Sequence, residues 1–422
     1  MKRFLLFIIA ILVVFSGCED ERNTNGINGI QCYYSYAEKI NIDPSEANFD
    51  EKINIIIKNC LRLKNVEVHL YRKTSLGYYL YSHAIYKSDE KGIIDLSKNK
   101  PISGSYSGVD QMGLFWSMTL WDKLEDIPDF VKESKSPYQS FFVIKENSRI
   151  ITKAVLNYYQ FTDLEEKIKI DDSKLIGEIY IPKKNRKKFP ALIILHGSGG
   201  YNKHGYLEYA AALAYHGYAS VLPGYFGVDP LPKGLKDIPL EYFERCIKYL
   251  ENCEYIDKNK IGVIGFSRGG ELALLLASKF PQLKISISYA GSGKAMPDSW
   301  TYEGQTIGHQ SQSIIEVEKI NGPVLLIDGQ DDQVWPSPEL QSIAYERLKR
   351  NNHPFIYKHL TYQNAGHSIY LPYLPTTVLE SKHPLEGVVL KYGGTPEGVE
   401  KANVLSWKEV LEILKTTFNQ NN

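Results

Sequence analysis

Gly265-Phe266-Ser267-Arg268-Gly269 places a serine with a glycine two residues to either side. A serine hydroxyl attacks an acyl carbon only when a base takes its proton and an acid holds that base in place. His367, in Asn364-Ala365-Gly366-His367-Ser368, supplies the base. The acid is expected between them, in the chain order Ser, Asp, His. Asp328-Gly329-Gln330-Asp331-Asp332 closes an apolar stretch there. Asp332, three residues past Gly329, is the expected acid and Asp331 the alternative, while Asp328 finishes the strand. The expected triad is therefore Ser267, Asp332 and His367.

A G-x-S-x-G match alone is weak, so its setting decides. Here it follows the apolar run Ile261-Gly262-Val263-Ile264 and opens a run of small and apolar residues. That is a strand, a sharp turn and a helix, the arrangement that lifts a serine hydroxyl out of a sheet. A developing oxyanion then needs two backbone N–H donors. One is expected from Arg268, next to the nucleophile. The other is expected from the loop His196-Gly197-Ser198-Gly199-Gly200, at Ser198 with Gly199 next, after the strand Ala191 to Leu195. His196 itself reads as a strand-end residue that orders this loop.

The elements that must hold these residues alternate between strand and helix after residue 145, which predicts an α/β fold around a largely parallel sheet. Strands are expected at 175–182, 191–195, 218–222, 261–265, 285–289, 323–328 and 355–362. Helices are expected from Leu207 to Gly217, Pro239 to Glu251, Gly269 to Phe280, Pro338 to Arg350 and Val404 to Phe418. Residues 36–144 read differently: short alternating runs such as Ile53, Ile55, Ile57 and Val66, Val68, Leu70, with breakers about every ten residues, predict an antiparallel β-sandwich. A basic cluster at Lys183, Lys184, Arg186, Lys187 and Lys188 leads into the strand at 191, at the sheet edge opposite the expected site.

Lys2 and Arg3 precede an apolar run from Phe4 to Phe15. As a helix it spans about 18 Å, short of a bilayer core of about 30 Å. A basic start, a short apolar run and small residues predict a signal peptide over residues 1–17. Cys18 follows Ser16-Gly17, which resembles the lipobox of bacterial lipoproteins, so lipidation of Cys18 and a flexible tether over 18–35 are expected. The sandwich is expected over 36–145 and the catalytic domain over 146–422. An exported chain can oxidise its thiols. Cys32 with Cys60 and Cys246 with Cys253 lie within reach of each other, and unpaired buried thiols are an equal expectation. The 422 residues carry 49 basic and 49 acidic side chains. That balance creates no field to gather nucleic acid, and neither a metal nor another cofactor is expected.

Taken together these stretches resemble one family. HGSGG at 196–200, Tyr225-Phe226-Gly227, IPLEYFE at 238–244, IGVIGFSRGGELALLLASKFP at 261–281, GQDD at 329–332, AGH at 365–367 and GGTPEG at 393–398 are similar to the acyl-CoA thioesterase / bile acid-CoA:amino acid N-acyltransferase family. GSYSGVDQMGLFWSM at 104–118 resembles the stretch that closes the family's β-sandwich. The resemblance implies an immunoglobulin-like sandwich on an α/β-hydrolase domain. It carries over Ser267 as nucleophile, Asp332 as acid and His367 as base. A serine where the family's amine-transferring enzymes have cysteine implies hydrolysis. The polar stretch from Trp300 to Ile320, which could help cover the acyl pocket, is not among the stretches that carry this resemblance.

Three functions are expected. The first is hydrolysis of acyl thioesters through an acyl-serine. The second is the same chemistry on a carboxylic ester at the cell envelope, which export favours because acyl-CoA is an intracellular metabolite. The third is a surface-anchored binding protein on a hydrolase scaffold. In the two enzymatic readings the partner is a small acyl thioester or ester, and in each the chain is expected to meet the membrane through its lipid anchor.

Overall fold

The computed structural model describes residues 39–74, 76–136, 139–158, 165–170, 172–183, 188–201, 206–308 and 313–418. The expected signal peptide, Cys18, the expected tether and Cys32 lie outside the described residues, as do Lys184, Arg186 and Lys187. Among the described residues no helix is long and apolar enough to cross a membrane.

The N-terminal part is two sheets face to face. Strands Ile40–Asp43, Asn54–Ile57 and Ile94–Asp95 form the smaller one. The larger is built around Asn65–Lys73, flanked by Tyr79–Lys87 and Gln139–Glu146. Alternation sends Val66, Val68 and Leu70 inward, where they meet Ile55, Ile57 and Phe142 in one buried cluster. Tyr71, Phe141 and Val143 point the other way and are covered by Ile127 and Val131.

This sheet runs past the expected boundary at 145. Arg149–Tyr158 pairs antiparallel with Gln139–Glu146, and Glu146 faces Arg149 across a two-residue turn. Asn147 and Ser148 both have positive φ, 48° and 63°, as such a hairpin turn requires. The sandwich sheet therefore extends to Tyr158.

The C-terminal part is one eight-stranded sheet: β1 (Glu165–Lys169), β2 (Ile176–Pro182), β3 (Phe189–Leu195), β4 (Ala219–Gly224), β5 (Ile256–Phe266), β6 (Leu283–Tyr289), β7 (Val324–Gly329) and β8 (Tyr357–Tyr362). Their order is β1-β2-β4-β3-β5-β6-β7-β8. From β4 to β8 every neighbouring pair is parallel. The order reverses between β3 and β5, and the crevice at such a switch point is where α/β sheets bind ligands.

Helices cover both faces. In α2 (Leu240–Asn252), Leu240, Phe243, Ile247 and Leu250 recur at helical spacing and are buried. They share a core with Ile193, Val263, Leu326 and with Leu272 of α3 (Arg268–Lys279) and Leu348 of α4 (Ser337–Arg350). The opposite face of the same strands, Leu192, Ile264, Leu325 and Ile327, packs on Leu213 of α1 (Leu207–Tyr215) and on Trp407, Val410 and Leu414 of α5 (Pro396–Phe418).

The sandwich is joined to this body by backbone and side-chain bonds. Thr376 N–H donates to Trp116 O at 2.9 Å, and Thr377 Oγ1 to Met118 O at 2.6 Å. The side chains of Tyr106, Trp116 and Met118 lie in the sandwich core beside Tyr373. Asp50 Oδ2 accepts from Trp407 Nε1 at 2.6 Å and meets His216 Nε2 at 2.7 Å. Cys246 and Cys253 form no disulfide, and burial pushes the Cys246 thiol up to about 12.

Candidate active site

Ser267 stands between the end of β5 and the start of α3. Its φ is 56° and its ψ −118°, a conformation that side-chain-bearing residues rarely hold. The glycines around it let three backbones meet. A Cβ on Gly265 would overlap the Gly269 carbonyl oxygen, and one on Gly269 would overlap the carbonyls of Leu195 and His196. The strand-to-helix turn thus closes against the end of β3 with nothing between them, and Ser267 N–H is anchored to Tyr289 O at 2.8 Å.

Asp332 comes after β7, in the loop before α4. Its carboxylate is fully buried and accepts four hydrogen bonds. Oδ1 takes the N–H groups of Val334 (2.9 Å) and Trp335 (3.3 Å). Oδ2 takes Ser337 Oγ (2.5 Å) and His367 Nδ1 (2.7 Å). A carboxylate so held keeps its position, and it fixes the imidazole with the proton on Nδ1. The alternative Asp331 is exposed, and Asp328 is engaged elsewhere, with His359 Nε2 at 2.6 Å and Gln341 Nε2 at 2.9 Å.

His367 is held in place by residues 392–398, further along the chain. Its N–H donates to Tyr392 O at 2.8 Å, and Ala365 bridges to Gly394. Thr395 N–H donates to Asn364 O at 2.8 Å, and Thr395 Oγ1 accepts from Gly398 N–H at 3.0 Å, capping α5. A Cβ on Gly398 would overlap the Asn364 carbonyl, so the histidine loop lies directly on the first turn of α5. That helix starts at Pro396, eight residues before the expected Val404.

Ser267 and His367 border one cleft of about 430 Å³. Tyr206, Phe266, Tyr289, Ile369 and Tyr370 give it apolar walls. No hydrogen bond joins Ser267 to His367 among the described residues; both border the cleft. A second cleft, of about 590 Å³, opens on the other side of the serine, beside Lys233, Arg268 and Trp335. Ser198 and Ser267 border both. The N–H groups of Ser198 and Arg268 have no acceptor among the described residues. Of the expected basic cluster, the described Lys183 and Lys188 border neither cleft, and Lys188 precedes β3 at the end far from Ser267.

His196 is buried and stacked on Tyr225, with ring centroids 3.9 Å apart. Its Nδ1 meets Gly197 O at 3.0 Å, and Tyr225 OH donates to its carbonyl. Burial pulls its pKa down to about 4, so it stands neutral as a support for the loop. Burial likewise pushes Tyr206 up to about 12. Behind Arg268, Glu271 is fully buried and accepts from Trp300 Nε1 at 2.6 Å and Met296 N–H at 2.9 Å. Burial raises its pKa, opposed by Arg268 3.3 Å away.

One expectation about the pocket changes. Among the described residues of the stretch 300–320 none borders the first cleft, and Trp300 is a fully buried core residue. The cleft is instead walled by a hairpin, Glu380–Lys382 with Val389–Lys391, which brings Ser381, His383, Leu390 and Tyr392 to it. No sequence signal marks that hairpin, because its strands carry no buried apolar face. Among the described residues no group of three or more His, Cys, Asp or Glu could hold a metal.

Known proteins match the chain over both parts. Residues 50–163 match the family model described as "Acyl-CoA thioester hydrolase/BAAT N-terminal region", and residues 238–311 and 305–420 match "BAAT / Acyl-CoA thioester hydrolase C terminal". A peroxisomal succinyl-coenzyme A thioesterase of Mus musculus is 25% identical over 417 residues, 89% of this chain and 96% of that protein. Acyl-coenzyme A thioesterase 6 of Homo sapiens is 27% identical over 415 residues, 88% of this chain and 94% of that one. Among solved structures, a dienelactone hydrolase-like promiscuous phosphotriesterase from metagenomic libraries aligns over 60% of this chain and 99% of its own, at 20% identity and a TM-score of 0.43. With both halves matched in order, the chain belongs to the acyl-CoA thioester hydrolase/BAAT family.

Proposed function

We propose that the chain hydrolyses acyl thioesters through an acyl-serine on Ser267. The observation that carries this is the buried Asp332 carboxylate bonded to His367 Nδ1, with His367 bordering the same cleft as the Ser267 elbow. Nε2 is then the nitrogen left to take a proton from serine. Ser267 Oγ attacks the carbonyl carbon, its proton passes to His367 Nε2, and the C=O pair moves onto oxygen. The N–H groups of Ser198 and Arg268 stabilise that oxyanion. Collapse breaks the C–S bond, and the thiolate leaves with the proton from His367. Water then attacks the acyl-serine with His367 again as base, releasing a carboxylic acid and restoring Ser267. The aromatic cleft suits the acyl chain, and the cleft with Lys233 and Arg268 suits the leaving group.

The N-terminal sequence supports a second reading. If residues 1–17 are removed and Cys18 is lipidated, the enzyme stands at the cell envelope, and its substrate there is a carboxylic ester. A panel of acyl-CoA and aryl esters with the purified mature chain separates the two. Thioester turnover with an acyl adduct on Ser267, seen by intact mass and absent in Ser267→Ala, is the expected result. Turnover of short esters with no thioesterase rate would sink the thioester reading. Activity surviving in Ser267→Ala would remove Ser267 as nucleophile. A wild-type chain that a fluorophosphonate fails to label would leave only a binding role.

A further inference from the structure

The turn of the wall hairpin rests on the glycine-rich loop. Pro384 lies 3.4 Å from where a Cβ of Gly199 would stand, and Leu385 lies 3.1 Å from that of Gly200. Between hairpin and loop sits a second histidine of the cleft, His383, only 4% exposed. Its main chain is fixed at both ends. His383 N–H donates to Val388 O at 2.7 Å, and Gly387 N–H donates to His383 O at 2.9 Å.

The partners of the ring set its tautomer. Glu386 N–H donates to His383 Nδ1 at 3.0 Å, so Nδ1 is the acceptor nitrogen. A neutral imidazole has one acceptor and one donor nitrogen, so Nε2 carries the proton. Nε2 lies 3.0 Å from Ser198 Oγ. The direction of that bond is thereby settled: His383 donates and Ser198 accepts. A hydroxyl that accepts on one side keeps its own proton for another partner. Ser198 borders both clefts, as Ser267 does, so that proton is free for an acceptor bound beside Ser267.

We propose that the Ser198 hydroxyl donates a third hydrogen bond to the oxyanion, beside the N–H groups of Ser198 and Arg268, and that His383 is the positioning residue that orients it. The inference rests on the acyl-serine reading. In the step concerned, Ser267 Oγ bonds to the carbonyl carbon and the C=O pair moves onto oxygen, which accepts the Ser198 O–H. No proton leaves Ser198. On collapse the pair returns to the carbonyl and the bond to the leaving group breaks. Because the bond exists only in the transition state and intermediate, it acts on kcat and not on substrate binding.

The test is a cycle of Ser198→Ala, His383→Ala and the double variant, with His383→Gln alongside. kcat and KM are measured on one thioester and one aryl ester. Ser198→Ala is expected to lower kcat about 10²-fold with KM unchanged, as for loss of one oxyanion donor. His383→Ala is expected to lose a similar factor, and the double variant no more than Ser198→Ala alone. His383→Gln, whose amide N–H can reach Ser198 Oγ, is expected to regain most of it. Wild-type kcat in Ser198→Ala overturns the proposal. A penalty for His383→Ala that persists in the Ser198→Ala background overturns the role of His383. If His383→Ala melts out, Ser198→Ala and His383→Gln decide between them. Ser267→Ala guards the underlying reading: turnover surviving there refutes the acyl-serine itself, whereas turnover lost there with Ser198→Ala unaffected refutes only the third donor.

Discussion

Two aspartate–histidine pairs flank the end of β7, and by the usual measures they look alike. Asp328 meets His359 at 2.6 Å and Asp332 meets His367 at 2.7 Å. Both carboxylates are fully buried, and both imidazoles are nearly so, at 14% and 11% exposure. The nitrogen used separates them. His359 presents Nε2 to its acid, within the sheet between β7 and β8, where Leu326 faces His359. His367 presents Nδ1, from a loop beyond the sheet, and so keeps Nε2 for the cleft. A short, buried acid–imidazole bond is thus not a sign of catalysis by itself. The free nitrogen, and the space it faces, decides.

The largest expected effect breaks this likeness directly. Asn at 332 would offer an N–H to His367 Nδ1, forcing the proton onto Nε2, the nitrogen that accepts from Ser267 in the proposed mechanism. Asp332→Asn should therefore lower kcat about 10⁴-fold. Asp328→Asn reverses the His359 tautomer in the same way but touches no reacting atom, so kcat should stay near the wild-type value. Steady-state rates on one thioester read both. Equal losses from the two substitutions would end the distinction.

Stability should show the reverse ranking. His359→Ala strands the Asp328 carboxylate inside the sheet, where Gln341 is its remaining partner and Oδ1 has none. Removing one member of such a buried pair should cost about 3 kcal/mol. His367→Ala leaves Asp332 with two N–H donors and the Ser337 hydroxyl, and should cost clearly less while abolishing turnover. Urea unfolding at neutral pH measures both. A larger loss at His367 would mean that its loop, not its chemistry, holds the fold.

The same contrast explains which features are legible in the sequence. Ser267 is legible because its constraint is local: an apolar strand, two glycines that permit close approach, then a helix. Asp332 is legible over Asp328 because a strand-end residue points into the sheet, whereas one three residues on has entered the loop. The hairpin at 380–391 is not legible, since its strands bury no apolar face and so leave no period-two pattern. The start of α5 is hidden by Gly398, which reads as a breaker yet serves the close approach of Asn364. Thr395-Pro396-Glu397 does carry a start signal, a capping threonine with proline at the first helical position. Asn147-Ser148 likewise marks the hairpin that takes the sandwich to Tyr158. At both boundaries the turn chemistry at the end of a run outweighs the composition of the run itself.

A third histidine gives the smallest effect and tests the comparison from outside, because it has no acid. His196 bonds through Nδ1 to the Gly197 carbonyl, and its Nε2 is buried without a partner. Burial lowers its pKa from 6.5 to about 4. Between those values the unfolded chain takes up a proton that the fold refuses. The stability this group confers is therefore present above about pH 6.5 and lost as pH falls toward 4. Between pH 7.5 and 4.5 the loss should be about 2–3 kcal/mol. His196→Phe keeps the ring against Tyr225 but cannot titrate, so its urea midpoint should fall less over the same interval. An acid partner would oppose this loss by stabilising the imidazolium. If wild type and His196→Phe lose the same stability on acidification, His196 is not held neutral by burial, and the line drawn between paired and unpaired histidines fails at that point.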